Sequence, residues 1–219
     1  MSRARRRLLL LGASGFGREV LWVIEDLPPE ARDWEVAGFL DDNVEAARAD
    51  LEGKGVSIPV VGTIRDHQPA PDEVFFCAIG GSRARLAVGD TLRERGGEFV
   101  NLVHPSARVH RTARMGTGLI LGPLTTFAPN CTVGDFVVLN ASANVGPDAV
   151  VEDGAFLGAR CDVMAGARLE RGAFLGSHVT VHPGVTVGAF STIGIGSVVL
   201  RRVPEGGTLL GVPARSLAF

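Results

Sequence analysis

The sequence predicts two parts: a small parallel α/β, Rossmann-like domain, then a parallel β-helix built from hexapeptides. Three observations carry this. Every sixth residue from Val103 to Val199 is apolar, without a break in register (Val103, Val109, Met115, Leu121 and so on to Ile193 and Val199). Four residues after nearly every such anchor stands a small or β-branched residue, as at Ala107, Ala143, Ala149, Cys161 and Ser191. Before residue 100, short apolar runs instead close on glycine pairs or acidic pairs and alternate with helical patterns.

A period of six fits neither an amphipathic helix nor a hairpin sheet with loops of varying length. It fits a solenoid in which each hexapeptide is one short strand and one tight corner. The anchor points inward, and three sides make a coil of eighteen residues. Coils stacked at about 4.8 Å would form a prism roughly 27 Å long. An ordinary β-sandwich would show irregular spacing and hairpin turn signals, and neither is present.

Composition narrows the function classes. A chain of 219 residues holds one or two domains. The formal charge of −2 gives no electrostatic reason to expect nucleic acid or an anionic membrane as partner. Cys77, Cys131 and Cys161 are odd in number and fall on predicted buried positions, so they read as small hydrophobes, with no metal site. The basic start from Arg3 to Arg7 imitates a leader, but the apolar run Leu8–Leu11 is too short for one and reads as a buried strand. No segment is long enough to span a bilayer, and a cytoplasmic protein is expected.

Residues 1–100 are then read in order. Leu8–Leu11 is the first strand, ending in Gly12-Ala13-Ser14-Gly15-Phe16-Gly17. Val20, Val23, Ile24 and Leu27 form a helical stripe stopped by Pro28-Pro29. Val36–Leu40 is a second strand ending in Asp41-Asp42, Ser57–Val61 a short third, and Glu73–Ile79 a further apolar run closing on Gly80-Gly81. Ser82 is placed to cap a helix through Arg95. A glycine-rich turn between a strand and a helix is a phosphate cradle, because the backbone lies open and the helix N-terminus offers free N–H groups. The candidate ligand residues are Gly12, Ser14, Gly15 and Gly17, with Asp41 and Asp42 at the next strand end for a ribose or base, and Ile79 and Gly80 bordering the same crevice. The spacing Gly-x-x-Gly-x-Gly is not the dinucleotide fingerprint, so a single nucleotide-bearing ligand is expected. The alternative is that the glycines serve only a tight turn.

Taken together, Gly12-Ala13-Ser14-Gly15-x-Gly17, Phe39-Leu40-Asp41-Asp42, Phe75-Phe76-Cys77-Ala78-Ile79-Gly80, Asn101-Leu102-Val103-His104-Pro105-Ser106-Ala107 and the terminal Gly211-Val212-Pro213-Ala214 carry a resemblance. The chain resembles, over essentially its whole length, the bacterial nucleotide-amino-sugar N-acetyltransferases and the related sialic-acid O-acetyltransferase-like proteins. The resemblance implies that the solenoid, residues 101–219, is a left-handed β-helix and that the chain forms a homotrimer. It also implies acetyl-CoA as acyl donor in a groove at Gly194, Gly196, Arg201, Gly211, Pro213 and Ala214, with Arg202 beside it. Residues 1–100 would hold a nucleotide sugar, and the setting would be polysaccharide biosynthesis.

One stretch departs from the pattern. The family's base is a histidine in a Glu/Gly-His-Asp/Glu tripeptide, one hexapeptide after an Asn that Asn140 matches. Here the tripeptide reads Gly146-Pro147-Asp148, and a second family histidine falls on Phe156. Three readings follow. An acetyltransferase without that base would rely on direct attack by a sugar amine, with Asn140 and Asp148 as the nearest candidate groups. A relocated base would have to be His110 or His182, which stack eighteen residues apart with Ala128, Gly146 and Met164, about 10 Å from Gly146. His178 falls on another side, while His104 and His67 read as junction and loop residues. The third reading is a catalytically silent trimeric binder or scaffold.

Overall fold

The computed structural model describes residues 5–217. The chain divides between Asn101 and Leu102 into two compact units.

In the first unit four parallel strands lie in the order β3-β2-β1-β4, with β1 Arg6–Leu11, β2 Trp34–Leu40, β3 Val60–Gly62 and β4 Glu73–Cys77. Leu8 to Leu11 and Val74 to Cys77 are fully buried, as expected of strands covered on both faces. Helix α1 (Gly15–Glu25) presses Val20, Val23 and Ile24 onto the sheet, and α3 (Ser82–Glu94) does the same with Leu86 and Leu92. The chain runs from β1 to β2 on one side and returns to β4 on the other, which leaves a crevice at the carboxyl ends where the order reverses.

Several sequence expectations shift here. The second strand begins earlier, at Trp34, because Trp34 is itself core. The third strand is Val60–Gly62, so Ser57 to Pro59 lead into it. Ser82 is the first helical residue of α3; the cap position is Gly81, and no side chain caps the helix. A helix the pattern did not suggest, α2 (Val44–Gly53), buries only Ala47 and Leu51, too few apolar positions to announce it.

The second unit is the solenoid. Seventeen two-residue strands run from Leu102–Val103 to Val198–Val199, one per hexapeptide, and up to Thr180–Val181 each pairs in parallel with the strand eighteen residues on. They form three faces. The first carries Val138–Leu139, Phe156–Leu157 and Phe174–Leu175, the second Asn144–Val145 and Asp162–Val163, and the third Val150–Val151 and Arg168–Leu169. Thr208–Leu210 extends the first face, and Arg215–Ser216 folds back antiparallel against it. From Leu121 onward the anchors are buried with the small residues Ala143, Ala149, Ala155 and Ala167 between them. In the first coil the register holds but burial does not: Val109 and Met115 are 37% and 39% exposed, since that coil has a neighbour on one side only.

The corners explain the period. From Met115 to Ile193 the residue three after each anchor adopts positive φ, whether glycine (Gly154, Gly166, Gly172) or not (Leu124, Phe136, Ser142, Asp148, Arg160, His178). From Phe136 onward its N–H donates to a carbonyl of the preceding coil, as from Asp148 to Pro129 (3.1 Å) and from Gly166 to Pro147 (2.9 Å), while at Leu124 and Asn130 the acceptors are the hydroxyls of Ser106 and Thr112. A second bond closes the turn itself, from the small residue back to the residue after the anchor, as from Ala149 to Gly146 (3.2 Å). Positive φ at the third position of a hydrogen-bonded turn is the type II pattern, which favours proline at the second. Pro105, Pro123, Pro129, Pro147 and Pro183 all occupy that second position.

The three cysteines are core groups. Burial pushes the Cys77 thiol up to about 12, and those of Cys131 and Cys161 up to about 11.

Two corner glycines separate backbone strain from packing. Gly166 and Gly172 share the same left-handed φ, but an added Cβ meets nothing at Gly166 and overlaps the Phe190 ring at Gly172. Gly166→Ala should lower Tm by about 2–4 °C, the effect of roughly 1 kcal/mol of strain, and Gly172→Ala by at least twice that. Equal losses in thermal melts would show that the Phe190 contact carries no weight.

Candidate functional site

In the first unit the crevice forms at the end of β1. Gly12 turns the chain at φ +98° and donates to Leu40 O (2.8 Å). Gly17 lets α1 sit against this turn, since a Cβ there would stand 2.6 Å from Gly12 O. Ser14 occupies the cap position of α1 with its hydroxyl uncommitted to the backbone, and no acidic residue lies in the first turn. The positive end of α1 therefore faces the crevice with no counter-charge from its own first turn.

A pocket of about 390 Å³ opens there, lined by Ala13, Ser14, Gly15, Arg18, Asp41, Asn43 and residues of α2. It brings together three of the expected residues, Ser14, Gly15 and Asp41. Asp41 has a structural task in this pocket: its Oδ2 accepts from Ala13 N and its Oδ1 from Asn43 N, both at 2.9 Å. The carboxylate thus ties the end of β2 to the glycine turn. Asp42 turns away from the pocket and accepts from Arg65 N (3.0 Å). Gly12 and Gly17 shape the pocket from behind. Ile79 and Gly80, at the end of β4, lie beside Gly12, and their carbonyls accept from Arg85 Nη1 at 2.9 and 2.8 Å.

Arg85 was hidden in the sequence among exposed arginines, yet it is 1% exposed. Burial draws its guanidinium down to about 10, so it remains charged at neutral pH. Arg18 and Asp50, ion-paired at the pocket, were also missed, because α2 was. The one available signal was Asn43 followed by Ala47 and Leu51 at helical spacing.

In the second unit the expected residues fall on two corners that border the second face. Asn140 and Gly194 share one corner column, separated by whole coils, and Pro147, Asp148 and Arg201 lie at the other. Pro147 and Asp148 are exposed; Asp148 holds the left-handed corner at φ 58°. Between the corners, side chains on the second face form a hydrogen-bonded ladder, Thr126 to Asn144 and Asn144 Nδ2 to Asp162 Oδ1 (2.8 Å), whose outer end is an exposed carboxylate. Phe156 lies on the first face, stacked on Phe174 with centroids 5.0 Å apart. Gly196 is a corner, Gly211 accepts from Val198 N (3.1 Å), and Ala214 N donates to Val198 O (2.9 Å). That last bond leaves Pro213 exposed at the edge of the last coil. Arg202 is exposed beside Arg201.

The histidines have local tasks. His104 Nδ1 and His110 Nδ1 accept from Ser106 N (3.1 Å) and Thr112 N (3.3 Å), bracing their own turns. His178 and His182 are exposed corner residues, and His67 pairs with the buried Glu73 (2.7 Å). Among the described residues no group of three or more His, Cys, Asp or Glu is placed to hold a metal, and no helix is long and apolar enough to cross a membrane.

Comparison with known proteins places both units. Residues 7–92 match the PglD N-terminal domain, and residues 100–202 the GMPPB C-terminal domain. The UDP-N-acetylbacillosamine N-acetyltransferase of Bacillus subtilis is 27% identical over 116 residues, 53% of this chain and 51% of that protein. The GDP-perosamine N-acetyltransferase of Escherichia coli is 28% identical over 134 residues, 60% of this chain and 58% of that one. The chain thus aligns with between half and three fifths of the length of these curated relatives. Among solved structures, PerB of Caulobacter crescentus in complex with CoA and GDP-perosamine superposes with a TM-score of 0.83 at 28% identity, covering 96% of this chain and 97% of that one. The acetyltransferase domain of PglB from Neisseria gonorrhoeae in complex with acetyl coenzyme A reaches the same TM-score at 24% identity, covering 97% of this chain and all of that one, and speaks for the fold alone. A PglD N-terminal domain joined to a left-handed hexapeptide β-helix is the architecture found, and over nearly its whole length the chain is similar to bacterial nucleotide-amino-sugar N-acetyltransferases of known structure.

Proposed function

We propose that this protein is an acetyl-CoA-dependent N-acetyltransferase acting on an amino sugar linked to a nucleotide. The observation that carries the reading is the near-complete superposition on PerB, whose structure holds both CoA and GDP-perosamine. The crevice supports it: a helix N-terminus with no acidic residue in its own first turn suits a diphosphate, the nearby Asp41 being already engaged by backbone N–H groups, and Asn43, Arg18 and Asp50 offer polar edges to a base or ribose. Ser14 and Gly15 would take the phosphates. Gly12, Gly17, Asp41, Ile79 and Gly80 hold the crevice in shape, with Asp42 outside it. The donor would run along the corner of Gly194 and Gly196 toward Gly211, Pro213 and Ala214, its phosphates near Arg201.

In the reaction the amine lone pair attacks the thioester carbonyl carbon. The C–N bond forms, the C–S bond breaks, coenzyme A leaves as thiolate, and the amine proton passes to that thiolate or to solvent. Backbone N–H groups would hold the oxyanion. Pro147 stands where the resemblance puts a histidine, and proline has no proton to exchange. General-base help is worth about 10²–10⁴-fold, and orientation alone can supply several kcal/mol, so an amine acceptor remains feasible where a hydroxyl would suffer more. Asp148, exposed beside Pro147, is the carboxylate placed to meet the ammonium form, with Asn140 on the neighbouring corner. The chain would act as a cytoplasmic homotrimer, in surface polysaccharide or glycoconjugate synthesis. Pro147 also favours a second reading, a nucleotide-sugar binder that has given up the chemistry.

Three measurements test these statements. Calorimetric titration with acetyl-CoA, with no sugar present, should give micromolar binding at one site per chain; silence up to millimolar donor would shift the conclusion to the non-catalytic binder. Pro147→His should raise, or leave unchanged, turnover of a nucleotide-linked amino sugar. A tenfold fall with donor binding intact would mean that the chemistry lies elsewhere. Light scattering at micromolar protein should give about three times the 23.0 kDa chain mass, and a monomer would sink the trimer.

A further inference from the structure

The sheet of the first unit has a second concavity, away from the crevice just described. A cleft of about 560 Å³ opens beside the latter half of α1, where the chain enters β1, β2 and β3 at their amino ends. It shares only Arg18 with the pocket at Ser14. Ligands of open parallel sheets bind at the carboxyl ends of the strands, so this cleft is not a second door to the same site. Its volume is within the range of small-molecule sites.

Two side chains give the cleft a chemistry. Of the arginines lining it, Arg5 is paired with Glu35 (2.9 Å) and Arg18 with Asp50. Arg32 differs. Its guanidinium carbon lies 5.2 Å from the centroid of the Trp34 ring, and its Nε is buried without a hydrogen-bond partner. A cation held on an aromatic face with a buried donor unmet calls for an anion. Trp22, also lining the cleft, leaves a large aromatic surface 56% exposed on α1. An exposed indole and a guanidinium without an ion pair thus line one cleft, whose carboxylates are Glu35, paired with Arg5, and Glu25; the combination fits a ligand with a planar ring and a negative group.

We propose that this cleft binds a planar aromatic anion, its ring laid on Trp22 and its phosphate or carboxylate taken by Arg32. A mononucleotide and a simple aryl phosphate both present that chemistry. The site is independent of the acetyl-transfer reading and would stand if that reading fell.

Trp22 and Trp34 are the chain's two tryptophans, and tyrosine is absent, so intrinsic fluorescence reports on this cleft directly. The full chain should be titrated with phenyl phosphate, uridine 5′-monophosphate and inorganic phosphate. Saturable quenching by phenyl phosphate, with Kd between about 10 µM and 1 mM and none from inorganic phosphate, is expected. Quenching by the nucleotide alone would support the site and make its occupant a nucleotide. Arg32→Gln and Trp22→Leu should each weaken binding at least tenfold with an unchanged circular dichroism spectrum, and Arg32→Lys should retain part of it. Asp41→Asn, at the other pocket, should leave the signal intact. The proposal is overturned by silence of both ring-bearing probes to about 10 mM, by equal response to inorganic phosphate, or by a signal lost in Asp41→Asn and kept in Arg32→Gln. Should Arg32→Gln not fold, the same reading is taken from Trp22→Leu and Arg32→Lys.

Discussion

The second unit depends on one repeated event, a corner residue held in the left-handed region whose N–H bonds to the coil before it. For a residue with a side chain that conformation costs roughly 1–2 kcal/mol, and a hydrogen bond returns about 0.5–1.5 kcal/mol net. The two nearly cancel. That is why Leu124, Phe136, Arg160 and His178 can stand at corners otherwise given to glycine, and why the driving force must come from within. It does: the buried anchors and small residues make one continuous apolar column along the unit. Two-residue strands have no stability alone, and each exists because the coils on either side complete its ladder.

The same constraint fixes what chemistry a corner can offer. The second turn position prefers a residue with φ near −65°, and its N–H is not needed by the ladder. Proline is the best structural answer there, and the chain uses it five times. A histidine at the same place would hold the turn less firmly and carry an exchangeable proton. Were position 147 the seat of proton transfer, as the proposed function has it, the turn and the chemistry would ask for different residues, and this chain has the one that serves the turn. The Pro147 carbonyl accepts from Gly166, so proline at this corner keeps the coil-to-coil bond.

The solenoid was legible in the sequence almost residue by residue, because each hexapeptide repeats one packing problem and seventeen copies average out local accidents. Burial of the first coil was not, since period does not say where a stack ends. In the first unit, strands buried on both faces announced themselves, as Leu8–Leu11 and Val74–Cys77 did. Helix α2 stayed silent because it contributes only Ala47 and Leu51 to the core. The pocket at the end of β1 was half legible for that reason: its glycine turn has a motif, but its far wall belongs to α2. Arg85 could not be found at all, because burial of a charged side chain is decided by the carbonyls it meets, here those of Ile79 and Gly80.

Asp41 shows how a motif can be right about place and incomplete about role. A carboxylate at the end of the second strand reads as a ligand for ribose. Here both of its oxygens already accept backbone N–H groups, one from the glycine turn and one from the approach to α2. Each oxygen retains a second lone pair, so a hydroxyl can still be met. The fixed part of the arrangement is nevertheless structural: Asp41 holds the two loops that frame the pocket at a set distance. Arg85 does the equivalent at β4, bonding the Ile79 and Gly80 carbonyls from beneath. The crevice is thus preformed by two buried or half-buried charges working on backbone. Under the proposed function, discrimination between ligands would fall to the groups at its rim: the hydroxyl of Ser14, the N-terminus of α1 and the ion pair of Arg18 and Asp50.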